Sequence, residues 1–104
     1  MTENVAPVVP CARIHEGDVL EPVQIPVTRE TLVRYAGAST DFNPIHWSDR
    51  AARAAGMDGV IAHGMWTMGA ALGVVVHWVA APGRIVSQRA RFVRPVLVLS
   101  LIHI

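Results

Sequence analysis

Residues 64–81 read GMWTMGAALGVVVHWVAA, an apolar stretch that Pro82 and Gly83 bring to an end. Its hydrophobic side chains fall on nearly every side of a helix, as in a helix that other parts of a protein cover. A stretch of about 18 apolar residues is also near the lower limit for a membrane span. The polar His77, three glycines and the single flanking basic residue, Arg84, favour a core helix instead. We therefore predict a helix that is buried on most of its faces.

Two extended segments are predicted, one on each side of this helix. Residues 85–96 alternate apolar and polar side chains at a period of two, which is typical of a half-buried strand. Residues 19–27 contain β-favouring residues interrupted by Pro22 and Pro26, which indicates an edge strand or an extended arm. This order predicts an α+β domain in which a sheet wraps around one long helix.

Two shorter helices are predicted before the apolar one. Thr28 is a suitable N-cap for a helix over residues 29–38, because its hydroxyl can accept from a free N–H of the first turn. A second helix over residues 49–55 should end at Gly56. The segment between these two helices is therefore predicted to be a loop.

Length, charge and cysteine content exclude several classes of protein. The 104 residues are enough for one domain, and a net charge of +1 without a basic stripe argues against binding of nucleic acid or an anionic membrane. A content of 52% hydrophobic and 16% charged residues indicates that a partner or missing chain covers part of the surface, which favours an oligomer. The only cysteine, Cys11, allows no internal disulfide, and the N-terminus does not resemble a signal peptide. We expect a cytoplasmic protein.

The loop between the short helices carries a candidate acid–base pair, Asp41 and His46. Asn43 and Pro44 favour a turn that could aim both side chains into one cleft, where they could hold a water molecule and exchange its protons. Imidazole titrates near neutrality and suits this work. On the residues alone, Asp41 and Asn43 can equally be turn residues, and His46 can be structural.

Gly64 stands at the start of the apolar helix, where backbone N–H groups have no intrahelical acceptor. With no side chain in the way, these donors and the helix dipole could bind the carbonyl oxygen of a thioester and stabilise enolate-like charge. A packing role for this glycine is the alternative.

Two segments, Asp-Phe-Asn-Pro-Ile-His (41–46) and Ala-His-Gly-Met (62–65), resemble the double motif of the MaoC-like, R-specific enoyl thioester hydratases. The resemblance extends over residues 17–98 and implies a hot-dog fold, an antiparallel sheet wrapped around a long buried helix. The roles it implies are a catalytic pair in Asp41 and His46, an oxyanion donor in the backbone N–H of Gly64, loop positioning by Asn43 and Pro44, and substrate contacts by His63 and Met65.

Within that family, residues 28–37, 43–47 and 61–69 most closely resemble the catalytic B subunit of the actinobacterial (3R)-hydroxyacyl-ACP dehydratase. That enzyme serves type II fatty acid synthesis, including mycolic acid elongation, and pairs with a non-catalytic hot-dog subunit. The strands that normally follow Val98 are missing here. We therefore expect a hot-dog domain that is incomplete at its C-terminus.

Three functions are compatible with these residues. The leading hypothesis is a (3R)-hydroxyacyl thioester dehydratase, or trans-2-enoyl thioester hydratase, that acts on acyl-ACP or acyl-CoA. The alternatives are a stand-alone R-specific enoyl-CoA hydratase and a non-catalytic, thioester-binding hot-dog subunit. The resemblance implies a homodimer, or a heterodimer with a second hot-dog subunit, and neither a metal nor another cofactor. No nucleic-acid partner and no membrane span are expected.

The chain is predicted to divide into three parts. Residues 1–12 lack periodicity and are predicted to form an irregular tail, and residues 13–98 form the partial hot-dog domain. Residues 99–104 can be back-translated as CTG TCT CTT ATA CAC ATC, a transposon end used in preparing sequencing libraries. We expect these six residues to be translated adapter, with an authentic apolar strand as the alternative, and we assign no function to His103.

Overall fold

The computed structural model describes residues 13–79 and 82–103. They form an α+β arrangement, as predicted. Two short strands, β1 (Gln24–Pro26) and β2 (Leu101–His103), pair antiparallel with Ile25 opposite Ile102. Between them lie three α-helices, α1 (Arg29–Ser39), α2 (Asp49–Ala54) and α3 (Gly64–Val79), and two single-turn 3-10 helices, Pro44–His46 and Pro82–Arg84.

The prediction of an edge strand in residues 19–27 is confirmed for its last part, which forms β1. Val27, directly after it, donates its N–H to the Ser100 carbonyl and accepts from the Leu99 N–H. Because backbone groups of successive strand residues point to opposite sides, those of Pro26 point away from β2. The residue without an N–H therefore lies on the outer edge of β1.

Helix α1 begins at its predicted cap. The Thr28 hydroxyl accepts from the Thr31 N–H at 3.1 Å, and the helix ends at Thr40, which is left-handed with φ of 61°. Leu32 and Ala36 lie on its buried face. The prediction of this helix is confirmed. It begins at the predicted residue because the cap at Thr28 depends only on neighbouring residues.

Helix α2 also agrees with its prediction. The Ser48 hydroxyl caps it by accepting from the Ala51 N–H at 3.1 Å. Gly56, with φ of +88°, follows in a conformation that side chains rarely adopt. The turn after Gly56 then leads back towards the core.

The main core lies between α1, the segment before α3 and the end of the described chain. Val27, Leu32 and Val60 are fully buried, and Ala62 is nearly so. Partly buried side chains pack around them: Trp66, Val96, Val98 and Ile102. This core holds the residues on both sides of the candidate site in place.

Helix α3 forms where predicted but is less buried than predicted. Only Val74 and Val79 are buried among its residues, and Met65 is 63% exposed. The described sheet is too small to cover the helix, so most of its apolar side chains are half-buried. No helix in the described ranges is long and apolar enough to cross a membrane.

The predicted strand over residues 85–96 is wrong for most of its length. Residues 85–93 have no regular structure, and Val86 is 96% exposed. Pairing starts only at Val96, whose carbonyl accepts from the Ala62 N–H at 2.8 Å, and continues at Val98, which donates to Val60. Alternation predicts a strand only where a neighbouring strand completes the hydrogen bonds, and the described chain provides none beside residues 85–93.

The predicted divisions of the chain have different outcomes. The irregular tail at residues 1–12 lies outside the described residues. Residues 101–103 form β2, and Leu99, with φ of 65°, makes the bend before it. The adapter origin of residues 99–104 stays a prediction, because pairing with β1 does not reveal the source of the DNA.

Candidate active site

The turn between α1 and α2 brings Asp41 and His46 to the same side. The Asp41 carboxylate accepts from the Asn43 N–H at 3.2 Å, and the Asn43 side chain accepts from the Ile45 N–H at 3.2 Å. Pro44 opens the single-turn helix that ends at His46. Asn43 and Pro44 thus lie in the turn that joins Asp41 to His46, and their role in positioning the loop stays a prediction.

His46 is buried, and its orientation reveals its tautomer. Its Nδ1 lies 2.8 Å from the carbonyl oxygen of Ile61. Because a carbonyl can only accept, Nδ1 must carry a proton, which leaves a lone pair on Nε2 when the ring is neutral. Nε2 lies 3.7 Å from Oδ2 of Asp41, whose side chain is about half exposed.

A separation of 3.7 Å is too long for a direct hydrogen bond between His46 and Asp41. One water oxygen can nevertheless lie about 2.8 Å from both atoms at once. It could donate one proton to the imidazole and one to the carboxylate. The geometry thus suits two groups that exchange protons with a shared water molecule.

His63 supports both members of this pair. It is 2% exposed, its Nε2–H donates to the backbone carbonyl of Asp41 at 3.2 Å, and its ring stacks on His46 with a centroid separation of 3.8 Å. Tyr35 contacts its ring at 4.8 Å between centroids. Within the described part of the chain, its buried Nδ1 has no hydrogen-bond partner.

Gly64 is the first residue of α3, so its N–H has no acceptor within the helix. From the sequence, the space beside its Cα was expected to be open to a ligand. In the structure an aromatic ring fills that space. A Cβ placed on Gly64 would lie 3.2 Å from Cε2 and 3.3 Å from Cζ of Phe92. Access to this side of the donor therefore depends on Phe92.

Two cavities, each of about 330 Å³, meet at Gly64 and Phe92. The first contains His46 and has a mostly apolar wall that includes Met57, Ile61 and Pro95. The second has a more polar wall, formed by Tyr35, Ser39, Asp41, His63 and Met65. All the predicted site residues except Asn43 and Pro44 thus line one of two adjoining spaces.

Asp41, His46 and His63 are also close enough to be considered as metal ligands, with one ligand atom from each lying within 4.8 Å of the others. The two imidazoles are stacked, with 20° between their planes. Their nitrogen lone pairs lie in the ring planes and are nearly parallel, so they do not converge on one ion. The arrangement favours proton transfer over metal binding.

Asp49 connects the helices behind the site. Its carboxylate accepts from the Val60 N–H at 3.2 Å and from the Arg29 guanidinium at 2.9 Å. The Val60 hydrogen bond, and then the one from Arg29, hold the pKa of Asp49 below its usual value. The segment that leads to His63 and Gly64 is thereby tied to α1 and α2.

Sequence reasoning missed three contacts of the site. The Ile61 carbonyl that orients His46 is a backbone group, and no side-chain pattern signals it. Tyr35 lies one α1 turn before Ser39, and neither the helix prediction nor the resemblance assigned it a place in the site. Phe92 belonged to a predicted strand, and nothing in that alternation indicated contact with Gly64.

Comparisons with known proteins agree with one another. A family model described as a MaoC like domain matches residues 11–103. Four solved chains are similar to this one. One of them, described as a "MaoC-like dehydratase", is 39% identical with a TM-score of 0.67, over 76% of this chain and 24% of that chain. This chain therefore spans about a quarter of that protein's length. No curated protein matches it.

Proposed function

The chain belongs to the MaoC-like domain family, and from this premise we propose that it is the catalytic part of a (3R)-hydroxyacyl thioester dehydratase that also runs in reverse as a trans-2-enoyl thioester hydratase. The family has the hot-dog fold, and the small sheet with its helices is consistent with an incomplete form of it. The observation that carries the proposal is the lone pair of His46 Nε2 facing the Asp41 carboxylate at 3.7 Å.

In the hydration direction, Asp41 and His46 hold one water molecule. One of them takes a proton as the water oxygen bonds to C3, and the C2–C3 π electrons move towards the thioester carbonyl, which becomes an enolate. The enolate then collapses as C2 takes a proton from the pair, so that H and OH have been added across C2 and C3. Dehydration is the reverse, and the configuration expected at C3 is R.

The surrounding residues have supporting roles in this proposal. The Gly64 N–H donates to the carbonyl oxygen as negative charge develops on it. Asn43 and Pro44 hold the loop that carries the pair. His63 and Met65 line the cavity beside Asp41 and contact the substrate there.

The carrier and the partner are part of the same proposal. We place the protein in type II fatty acid synthesis, acting on acyl-ACP beside a second hot-dog subunit, as the B subunit of the actinobacterial dehydratase does. The half-buried apolar side chains of α3 support a partner, since they need cover. A stand-alone hydratase would instead prefer acyl-CoA, so rates with the two carriers separate these cases.

The test uses the protein together with any partner subunit and follows the hydration of trans-2-enoyl thioesters. Asp41→Asn and His46→Gln should each lower kcat by about 10² to 10⁴-fold, which is the usual contribution of a positioned acid or base. Asp58→Asn and His77→Gln are matched controls, because both side chains are exposed and distant from the pair in sequence. An unchanged rate in the doubly substituted protein would overturn the proposal.

A second candidate is an acyl-binding subunit without turnover. The observation in its favour is the Phe92 ring, which fills the space beside the Gly64 oxyanion donor. This candidate requires that saturated acyl thioesters bind while enoyl thioesters are not hydrated. Hydration at any rate that depends on His46 excludes it.

A further inference from the structure

Phe92 is the only residue besides Gly64 that lines both cavities among those the structure describes. Its ring packs on Gly64, with three ring carbons within 3.5 Å of the position that a Cβ would take. It thereby stands between the apolar cavity that contains His46 and the polar cavity that contains Asp41. A ligand that occupies both cavities at Gly64 must lie against this ring.

We propose that Phe92 is a specificity-determining residue that limits the length of the acyl chain. The inference rests on the proposed function, because it takes the thioester to lie at Gly64 between Asp41 and His46. The acyl tail then occupies the apolar cavity, and the Phe92 ring forms the part of its wall beside Gly64. The chain length that fits is set by the volume that the ring leaves.

The size and the wall of the apolar cavity support a short tail. Its volume of about 330 Å³ is at the lower end of the range for small-molecule sites. Met57, Val93 and Pro95 contribute apolar side chains to its wall. These side chains favour methylene groups, while Thr67 and Arg94 contribute polar groups to the rest of the wall.

The position of Phe92 explains why a substitution there should act on specificity and not on folding. Its side chain is 55% exposed and belongs to neither core cluster. It also lies in residues 85–93, which make no strand pairing in the described chain. A smaller side chain should therefore join the two cavities without removing a core contact.

The experiment compares Phe92→Leu, Phe92→Ala and Phe92→Trp with the unsubstituted protein, with any partner subunit present. Affinities are measured for butanoyl-CoA and dodecanoyl-CoA, which are saturated and cannot be hydrated. Hydration of trans-2-butenoyl-CoA and trans-2-dodecenoyl-CoA is measured separately. Val86→Ala is the control, because it removes an apolar side chain of the same segment that is 96% exposed.

Each methylene that becomes buried is worth roughly fourfold in affinity. The ratio of dodecanoyl to butanoyl affinity should therefore rise at least tenfold in Phe92→Leu and Phe92→Ala, fall in Phe92→Trp, and stay unchanged in Val86→Ala. The kcat/KM ratios should follow the same order. Retention of helical circular dichroism identifies variants that fold, and the leucine and tryptophan variants keep an apolar side chain should the alanine variant not fold.

The outcomes separate the two proposals. Unchanged affinity ratios in a protein that hydrates enoyl thioesters overturn the role of Phe92 and leave the proposed function standing. Shifted affinity ratios without any hydration support Phe92 as a chain-length residue and overturn catalysis. If the unsubstituted protein neither binds nor hydrates these acyl chains, whether they are carried by CoA or by acyl carrier protein, both proposals are overturned.

Discussion

Residues 23–63 and residues 85–99 differ in how many of their side chains are buried and in how much regular structure they form. The first region contains most of the buried side chains, three capped or turn-closed helical segments and the stacked pair of His46 and His63. The second region contributes to the walls of the two cavities. Four of its apolar side chains are more than half exposed: Val86, Phe92, Val93 and Leu99. The proposed catalytic pair and the residues proposed to limit access to it are therefore held by contacts of very different strength.

The largest effect should come from breaking the core of the first region. Leu32→Ala removes a fully buried side chain beside Val27 and Val60, and should lower the free energy of unfolding by about 2–5 kcal/mol. Val86→Ala in the second region should change it by less than about 0.5 kcal/mol. Urea unfolding followed by circular dichroism measures both. Equal losses in the two variants would show that the two regions are held alike.

Gly64→Ala tests the point at which the two regions touch. The new Cβ would lie 3.2 Å from the Phe92 ring, which must move by a few tenths of an ångström. Since that ring is half exposed, we expect it to move with a change of less than about 1 kcal/mol in the free energy of unfolding.

The same methyl group would stand beside the N–H that we propose as the oxyanion donor, so kcat/KM for enoyl thioester hydration should fall about tenfold, or about 1.4 kcal/mol. Gly69→Ala is the matched control, because a Cβ there meets nothing within 4 Å. A large loss of stability with normal activity would mean that the second region is firmly packed on the first.

The smallest effect is expected from Asp49, which connects parts of the first region through an exposed contact with Arg29 and a partly buried one with the Val60 N–H. Its pKa is lowered in the folded state, so its contribution is present above the unfolded value of about 3.9 and is lost as pH falls through the lower folded value. Asp49→Asn should therefore reduce stability at pH 7, and its unfolding curve should converge with the unsubstituted one near pH 2. Asp58→Asn is the control, and a difference that persists in acid would contradict this account.

The same contrast decides how much could be predicted from the sequence. The start of α1 at Thr28 and the stop at Gly56 were predicted correctly, because each depends on neighbouring residues. The turn at Asn43 that joins Asp41 to His46 is likewise local, so the meeting of the pair could be anticipated. The roles of these two residues stay a prediction.

Contacts between distant residues could not be predicted in this way. His63 donates to the carbonyl of Asp41, 22 residues earlier in the chain, and Phe92 packs on Gly64. Apolar and polar side chains do alternate in residues 85–96. A strand also requires a neighbouring strand to complete its hydrogen bonds, and the sequence of the segment does not reveal whether one is present. The predicted burial of α3 was wrong for the same reason, because other segments must pack on a helix to bury its side chains.

Pro26 has a consequence for how this molecule behaves in concentrated solution. An exposed strand edge is a template on which other chains can add by backbone pairing, the first step towards aggregates. The outer edge of β1 offers no N–H at Pro26, its last residue, so an incoming strand would lose a hydrogen bond at that end of the three-residue ladder. Growth of fibrils from this side of the sheet should be disfavoured, and Pro26→Val would be expected to aggregate faster.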